Sequence, residues 1–344
     1  GHTRYTAVDG IPELKQAVCR KFKSENDIDY QPSEITVSSG CKQLLFNALM
    51  ATLNRGDEVI IPAPYWVSYS AMVEIADGRP IIIPCAAEQQ FKLTPDKLES
   101  AVTSATRWLN LNSPSNPTGA VYTRSELLAL AEVLLQHPEI LVITDDIYEH
   151  LIYGDVEFAT LAQVEPRLKE RTLTCNGMSK AYCMTGWRIG FAGGPESLVR
   201  AMAKLQSHSS FHPASICQYA AVAGLNGGRD FLVPQLQAYR ERRDTLVLEL
   251  NRIDGIDCPV PDGAFYVFPS CTGLFGRLTT DGRKLSSDTD VVSYFLDTAG
   301  VALVPGQAFG FPGHFRVSYA TNIDTLVSAC ERMQLACERL IETN

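Results

Sequence analysis

Two basic residues near the middle of the chain have the types and the spacing needed to hold a phosphorylated aldehyde. Lys180 lies in a turn with Gly and Ser neighbours within the segment 176–190, and Arg188 follows eight residues later. A lysine amine forms a Schiff base with an aldehyde. An arginine guanidinium binds a phosphate through paired, charge-assisted hydrogen bonds. On its own this pair is weak evidence, because a lysine in a loop is commonly a solvated surface residue.

Three other segments supply further polar groups for such a site. They are Ser38–Lys42, Ser113–Gly119 and Asp145–Tyr148, and each follows an apolar, strand-like run, as does Gly177–Lys180. Sites in parallel sheets gather at the carboxyl ends of the strands. We therefore expect these segments to meet at one edge of a sheet.

The first two thirds of the chain alternates apolar runs with helical patterns. This alternation predicts an α/β fold in which a mainly parallel sheet carries helices on both faces, in three layers. The predicted strands are Ile35–Ser38, Glu58–Ile61, Ile81–Pro84, Trp108–Leu111, Leu141–Thr144, Thr172–Cys175 and Ile189–Ala192, and the predicted helices lie near 42–53, 67–76, 96–104, 124–136 and 196–207.

The last third of the chain predicts a smaller α+β domain. A long helical pattern over about 230–253 joins the two parts, and we place the large domain at 1–235 and the small domain at 236–344. The predicted elements of the small domain are Phe265–Phe268, a helix near 289–299, Ala302–Val304, Phe315–Ser318, and a final helix capped by Asn322 with the apolar stripe Leu326, Val327, Cys330, Met333, Cys337 and Leu340.

Composition limits the class of protein. The chain has 344 residues, 45% hydrophobic and 20% charged, which is enough to bury a large core. Its net charge of −9 argues against a nucleic-acid or anionic-membrane partner, and no apolar run approaches the roughly 20 residues of a membrane span. The 10 cysteines form no Cys-x-x-Cys pair, so we expect no metal site, no disulfide framework and a reducing, cytoplasmic location.

The polar segments belong to a set of strings that runs from the first residues nearly to the last: Thr3–Thr6, Gly10–Leu14, Ser39–Gln43, Pro62–Tyr69, Ser113–Gly119, Asp145–His150, 176–190 and Arg316–Thr321. As a set they resemble the class I, fold type I aminotransferases, in the branch of the aspartate and aspartate/glutamate–prephenate enzymes. The resemblance implies a pyridoxal 5′-phosphate cofactor, amino acid and 2-oxo acid substrates, and a homodimer with shared active sites. It also implies a segment before Gly1 that closes over the substrate.

The resemblance assigns the chemistry to three residues. Lys180 is the Schiff-base lysine and moves the proton between the substrate α-carbon and the cofactor, which requires a neutral amine near neutral pH. Asp145, at the end of an apolar strand, pairs with the protonated pyridine nitrogen and keeps the ring an electron sink. Tyr148 hydrogen-bonds the ring hydroxyl. Asp146 is the rival carboxylate, and the family's spacing of three residues to the tyrosine favours Asp145.

A phosphate cup is predicted where a strand runs into a helix at Ser39–Lys42. The first backbone amides of a helix bind phosphate, and a glycine allows close approach of the backbone. The segment has neither a P-loop nor a Gly-x-Gly-x-x-Gly pattern, which disfavours nucleotide binding. By resemblance the phosphate ligands are Gly40, Cys41, Lys42, Ser179 and Arg188, with Cys41 standing where the family usually has Gly or Ala.

Four residues are assigned by resemblance to the remaining contacts. Trp66 stacks on the cofactor ring and borders the substrate. Asn116, in a turn rich in Pro and Gly, contacts the ring hydroxyl and the substrate carboxylate, although the residues alone are equally consistent with a structural Asx turn. Arg316 holds the substrate α-carboxylate as a bidentate fork. Tyr5 reaches the phosphate from the partner subunit, which makes the dimer obligatory.

One segment departs from the family pattern. Phe211 and His212 stand where relatives commonly carry small polar residues, often Asn. Two interpretations stay open: a repacked turn, or a segment in which His208 or His212 reads the substrate side chain across the dimer interface.

The function expected from these observations is an aminotransferase that moves an amino group from aspartate or glutamate to a 2-oxo acid such as 2-oxoglutarate by a ping-pong mechanism. The alternatives within the fold are an aromatic or prephenate aminotransferase, and another reaction on the same cofactor, such as an oxidase or a lyase. A non-catalytic, cofactor-binding regulator is the alternative outside enzyme chemistry.

Overall fold

The predicted strands form one mixed sheet in the computed structural model, which describes residues 1–342. Its strands are β1 (Ile35–Ser38), β2 (Glu58–Ala63), β3 (Arg79–Pro84), β4 (Thr106–Asn112), β5 (Leu141–Asp145), β6 (Thr172–Gly177) and β7 (Gly190–Gly193). Within the described residues the strand order is β1-β7-β6-β5-β4-β2-β3. β7 runs antiparallel to both of its neighbours, and the other neighbours pair in parallel. Every predicted strand is present, with small differences at the ends.

Helices cover both faces of this sheet. They are α1 (Pro12–Asn26), α2 (Cys41–Thr52), α3 (Ser68–Ile75), α4 (Pro95–Ala101), α5 (Arg124–Gln136), α6 (Leu161–Val164), α7 (Glu196–Ser207) and α8 (Ser215–Asn226). Trp108 packs in one apolar cluster with α2, α3 and α7, while the next residue, Leu109, packs in another with α4 and α5. Successive strand residues point to opposite faces, so both faces of the sheet are buried. The three-layer α/β fold is therefore confirmed; α1, α6 and α8 were not among the predicted elements.

Up to residue 342, the C-terminal part contains a second sheet and three longer helices. Its elements are α9 (Leu232–Leu250), β8 (Tyr266–Val267), α10 (Asp288–Ala299), β9 (Val304–Pro305), β10 (Phe315–Ser318) and α11 (Ile323–Cys337). β10 lies between β8 and β9 and is antiparallel to both. The long helix and the small sheet are therefore present as predicted, with β8 shorter than its predicted run. The domain boundary at 235/236 stays a prediction.

The last helix begins and packs as its sequence predicts. The Asn322 side chain accepts a hydrogen bond from the backbone N–H of Thr325 at 2.8 Å, which caps the helix. Four residues of the predicted stripe are buried and two are half-buried: Leu326, Cys330, Met333 and Cys337, against Val327 and Leu340. The apolar cluster that they join also contains Tyr148. The C-terminal core thus extends to the end of β5.

Two further findings concern the residues that the structure describes. No helix in 1–342 has both the length and the apolar character needed to cross a membrane. All ten cysteines are free thiols.

Candidate active site

The four predicted polar segments meet at one cavity at the carboxyl ends of β4, β5 and β6 and the start of α2. Its volume is about 380 Å³. Parallel strands end on the same edge of a sheet, so segments far apart in sequence converge there. The cavity is lined by Cys41, Lys42, Trp66, Tyr69, Asn112, Asn116, Asp145, Ile147, Tyr148, Ser179, Lys180, Thr185, Arg188, Tyr266 and Arg316.

Lys180 has the surroundings that a nucleophilic lysine needs. Its Nζ lies 5.3 Å from the ring centroids of Tyr148 and of Phe265. Burial lowers the pKa of the Lys180 ammonium, and the positive charges of Arg316 and Arg188 lower it further, while Asp145 acts in the opposite direction. A lowered pKa leaves a larger share of the neutral amine, which is the nucleophilic form.

Asp145 ends β5 and presents a buried carboxylate to the cavity. The hydroxyl of Tyr69 donates to Oδ2 at 2.6 Å, and the thiol of Cys41 donates to Oδ1 at 3.5 Å. The amide of Asn112 donates to the backbone oxygen of Asp145 at 2.6 Å, which fixes the strand end. Burial raises the pKa of the Asp145 carboxyl, and the hydrogen bonds from Tyr69 and Cys41 oppose that rise. A cation in the cavity would be the strongest further stabilisation of the charged form.

Asp146 has different surroundings although it is the next residue. It is 3% exposed and does not line the cavity. Its Oδ2 has no hydrogen-bond partner among residues 1–342. Burial raises the pKa of the Asp146 carboxyl well above its ordinary value; the side chain of Thr160 opposes this rise and the nearby charge of Glu149 adds to it. This environment favours the neutral acid and provides no access to a ligand in the cavity.

A basic cup forms where β1 runs into α2. Gly40 has φ of +90°, and a Cβ built on it would lie 2.3 Å from Nη2 of Arg188. Arg188 donates from Nη2 to the backbone oxygen of Ser39 at 3.3 Å and from Nη1 to that of Thr185 at 3.1 Å. Glycine at position 40 thus lets the arginine lie against the first turn of α2. The ammonium of Lys42 adds a second cation nearby, 4.7 Å from the ring centroid of Trp66.

Arg316 and Asn116 form the opposite wall. Arg316 Nη1 donates to Oδ1 of Asn116 at 3.0 Å, and the guanidinium carbon lies 4.7 Å from the ring centroid of Tyr266. The Nε of Arg316 is buried without a hydrogen-bond partner among the described residues. A buried donor without an acceptor is costly, so this guanidinium is suited to an anionic ligand.

Most of the residues predicted from sequence therefore lie on this cavity, and their roles there stay predictions. Gly40 is not part of the lining, although the next residue, Cys41, is. Tyr5 is 88% exposed and contacts the rings of Phe211 and His212 of its own chain, with centroids 5.6 and 5.7 Å away. His208, like these three residues, is absent from the cavity lining of this chain.

Sequence reasoning missed several lining residues, above all Tyr69, Asn112 and Tyr266. Asn112 is a polar residue at the end of an apolar strand, which is the signal that identified Asp145. Tyr69 lies in the first turn of α3, three residues after Trp66, and its backbone N–H donates to the carbonyl of Trp66 at 2.9 Å. Tyr266 carried no local signal, because its place beside Tyr148 depends on contact between the two sheets.

Comparison with known proteins identifies the family of this chain. The family model of the class I and II aminotransferases matches residues 1–333. The aspartate/prephenate aminotransferase of Cereibacter sphaeroides is 54% identical over 340 residues, which cover 99% of this chain and 85% of that protein. The crystal structure of the aspartate aminotransferase from Rhizobium meliloti superposes with a TM-score of 0.97 at 54% identity, covering 99% of this chain and 85% of that chain.

A solved structure of lower sequence identity has the same fold. The aspartate aminotransferase from Thermus thermophilus with maleate has a TM-score of 0.91 at 40% identity, covering 98% of this chain and 84% of that chain. The match of the family model over nearly the whole length, together with these identities, shows that the chain belongs to the class I and II aminotransferases.

Proposed function

We propose that this chain is a pyridoxal 5′-phosphate-dependent aminotransferase that takes an amino group from aspartate or glutamate and passes it to a 2-oxo acid such as 2-oxoglutarate. The observation that carries the proposal is the convergence of Lys180, Asp145 and Arg316 on one cavity. These are an amine of lowered pKa, a buried carboxylate, and a guanidinium with a buried donor that has no partner in the described part of the chain. Transamination uses all three groups.

The residues of the cavity fit the cofactor. Gly40 leaves room for Arg188 at the start of α2, where backbone amides and two cations suit a phosphate. Asp145 is a buried acceptor that a protonated ring nitrogen would satisfy. The residues that would hold the group are Gly40, Cys41, Lys42, Ser179 and Arg188 at the phosphate, Trp66 at the ring face, Asn116 and Tyr148 at the ring hydroxyl, Asp145 at the ring nitrogen and Lys180 at the aldehyde carbon. When bound, the cofactor supplies an electron sink that stabilises negative charge at the substrate α-carbon.

The chain's own groups would then do three things. Lys180, as a neutral amine, takes the proton from the substrate α-carbon and delivers it to the former aldehyde carbon of the cofactor. Asp145 holds the ring nitrogen in its protonated form, because its own charged form is supported by Tyr69 and Cys41. Arg316 binds the substrate α-carboxylate with the donors that its contact to Asn116 leaves free.

Two substrate classes are consistent with the cavity. A dicarboxylic donor is supported by the relatives from Rhizobium meliloti and Thermus thermophilus, both aspartate aminotransferases. An aromatic or prephenate substrate is the second candidate. It is supported by the aspartate/prephenate aminotransferase of Cereibacter sphaeroides and by the aromatic wall of Trp66, Tyr148 and Tyr266. Aspartate is the first choice, because all three of these relatives are named for aspartate, and only one of them is also named for prephenate.

The second subunit would be another copy of this chain. A shallow apolar groove adjoins the cavity and shares Lys42 and Arg188 with it. Val67 and Ile75 in this groove are 40% and 62% exposed. A second copy would cover these side chains and bring its Tyr5 to the phosphate cup, which gives an exposed tyrosine a binding partner.

The cellular location is proposed from the cysteines. Free thiols at all ten cysteines support a reducing, cytosolic location.

Covalent labelling tests the central assignment. The purified protein is loaded with pyridoxal 5′-phosphate, reduced with borohydride and mapped by peptide mass spectrometry. The expected label is on Lys180; Lys180→Ala should abolish it, and Lys204→Ala, at an exposed position on α7, should leave it unchanged. A label on another lysine would refute the assignment.

Absorbance spectra with aspartate, glutamate and phenylalanine then test transamination, since a donor converts the bound aldehyde to the amine form of the cofactor.

A further inference from the structure

Two tyrosine hydroxyls on the cavity wall form an isolated pair. The hydroxyl oxygens of Tyr148 and Tyr266 lie 2.9 Å apart, and their residues are 3% and 6% exposed. Neither hydroxyl has another hydrogen-bond partner within residues 1–342. Two hydroxyls carry two protons, and the bond between them uses one. The second proton is therefore free for an acceptor in the cavity, and the direction of the pair decides which tyrosine presents it.

The charges around the pair decide that direction. Arg316 lies over the ring of Tyr266, 4.7 Å from its centroid, and a cation beside a phenol strengthens its O–H as a donor. Tyr148 faces Lys180 across its ring at 5.3 Å and lies close to the carboxylate of Asp145. The carboxylate disfavours a negative charge on Tyr148, which makes its oxygen the better acceptor.

The pKa directions agree with this polarity. Burial raises the pKa of both phenols. The charge of Arg316 opposes the rise in the pKa of both phenols. The two differ in their other neighbours: the bond to Tyr266 and the charge of Asp145 raise the pKa of Tyr148 further, whereas the bond to Tyr148 lowers that of Tyr266.

Tyr266 is also held rigidly enough to impose a direction. It lies on β8, where it pairs with Ser318 of β10, two residues after Arg316 on the same strand. The residue two positions before it, Ala264, is fully buried with φ of +58°. The carbonyl of Ala264 accepts a hydrogen bond from the hydroxyl of Tyr319 at 3.3 Å and another from Tyr153. The turn into β8 is therefore fixed from both sides.

We propose that Tyr266 is a positioning residue: its hydroxyl donates to Tyr148, so that Tyr148 must donate into the cavity, to the ring oxygen of the cofactor. The inference rests on the proposed function. Tyr266 links the two ends of the site, because the tyrosine that directs Tyr148 also supports the guanidinium of Arg316. Without the Tyr266 hydroxyl, Tyr148 is a weaker donor, since a hydroxyl that accepts one hydrogen bond gives a stronger one in turn.

The test is a double-mutant cycle read by absorbance rather than by turnover. The pH titration of the bound cofactor is recorded for the wild type, Tyr148→Phe, Tyr266→Phe and the double variant. A donor to the ring oxygen stabilises its anion, so weakening that donor raises the pKa of the bound cofactor. Tyr266→Phe should raise this pKa by about half a pH unit, roughly threefold in the dissociation constant. In the Tyr148→Phe background the same substitution should add nothing.

Tyr294→Phe is the matched control. Tyr294 belongs to the same apolar cluster and donates one hydrogen bond, to the backbone oxygen of Ala336 at 2.8 Å, away from the cavity. It should leave the titration unchanged. The double variant removes both hydroxyls and leaves no unpaired one, so the cycle can be read even if Tyr266→Phe alone lowers stability.

Two results would overturn the inference: an unchanged titration in Tyr266→Phe, or an equal shift in the presence and absence of the Tyr148 hydroxyl. The second result would show that Tyr266 acts through Arg316 or directly. Failure of the proposed function is distinct from both, because a wild-type protein that lacks a borohydride label at Lys180 would give no titration to compare.

Discussion

The two neighbouring carboxylates after β5 provide the sharpest test of the site. Asp145 lines the cavity and accepts hydrogen bonds from Tyr69 and Cys41, whereas Asp146 is buried away from it, and its Oδ2 has no hydrogen-bond partner among residues 1–342. We predict that Asp145→Asn nearly abolishes transamination and that Asp146→Asn is mild. The amide has the shape of the neutral acid that burial favours at Asp146, so little changes there.

The magnitude follows from the burial of Asp145, which is 4% exposed. Removing one partner of a buried ion pair costs about 3–5 kcal/mol. Each 1.36 kcal/mol is a factor of ten in rate. If the partner of Asp145 is the protonated ring nitrogen, kcat/KM for aspartate should fall by about a hundredfold to several thousandfold. For Asp146→Asn we expect a change of about threefold or less, which is the scale of an ordinary substitution away from the site.

The assay measures kcat/KM for aspartate with 2-oxoglutarate, together with cofactor content and thermal unfolding of each variant. Cofactor content separates loss of chemistry from loss of binding. Equal losses in the two variants, or a larger loss in Asp146→Asn at unchanged stability, would show that the wrong carboxylate has been assigned to the ring nitrogen.

Two further predictions concern the second subunit. Tyr5→Phe should weaken cofactor retention and leave the dimer intact. Hybrid dimers of Tyr5→Phe with Lys180→Ala should regain activity, because a Tyr5 that acts across the interface leaves one site with wild-type residues at both positions; verified hybrids without recovery would place the contact within one subunit. Under the interpretation in which His212 reads the substrate side chain across the interface, we predict that His212→Asn changes the ratio of kcat/KM for aspartate to that for phenylalanine by at least about tenfold, the scale of one charge-assisted contact. An unchanged ratio with unchanged stability would leave 211–212 as a repacked turn.

The local sequence was sufficient to predict the strands of the large sheet and the polar side chains that follow them. Runs such as Leu141–Ile143 are apolar throughout because both faces of the sheet are covered, and they predict buried strands without knowledge of any partner. A charged or polar residue directly after such a run, as at Asp145, must meet a ligand or a partner at the edge of the sheet. The helix α8 was missed, since its apolar residues are spread around the helix and give little periodicity.

The contacts that give each polar group its environment depend on residues far apart in the chain. Tyr148 and Tyr266 are separated by 118 positions, and Asn116 and Arg316 by 200. No local pattern encodes which side chains two packed sheets will bring together, because that depends on the relative position of the sheets. Asp145 and Asp146 illustrate the difference. The sequence by itself determined that a carboxylate stands at this strand end. The tertiary structure decided that Asp145 faces the cavity, because it brings the side chains of Tyr69 and Cys41 within hydrogen-bond distance of the Asp145 carboxylate.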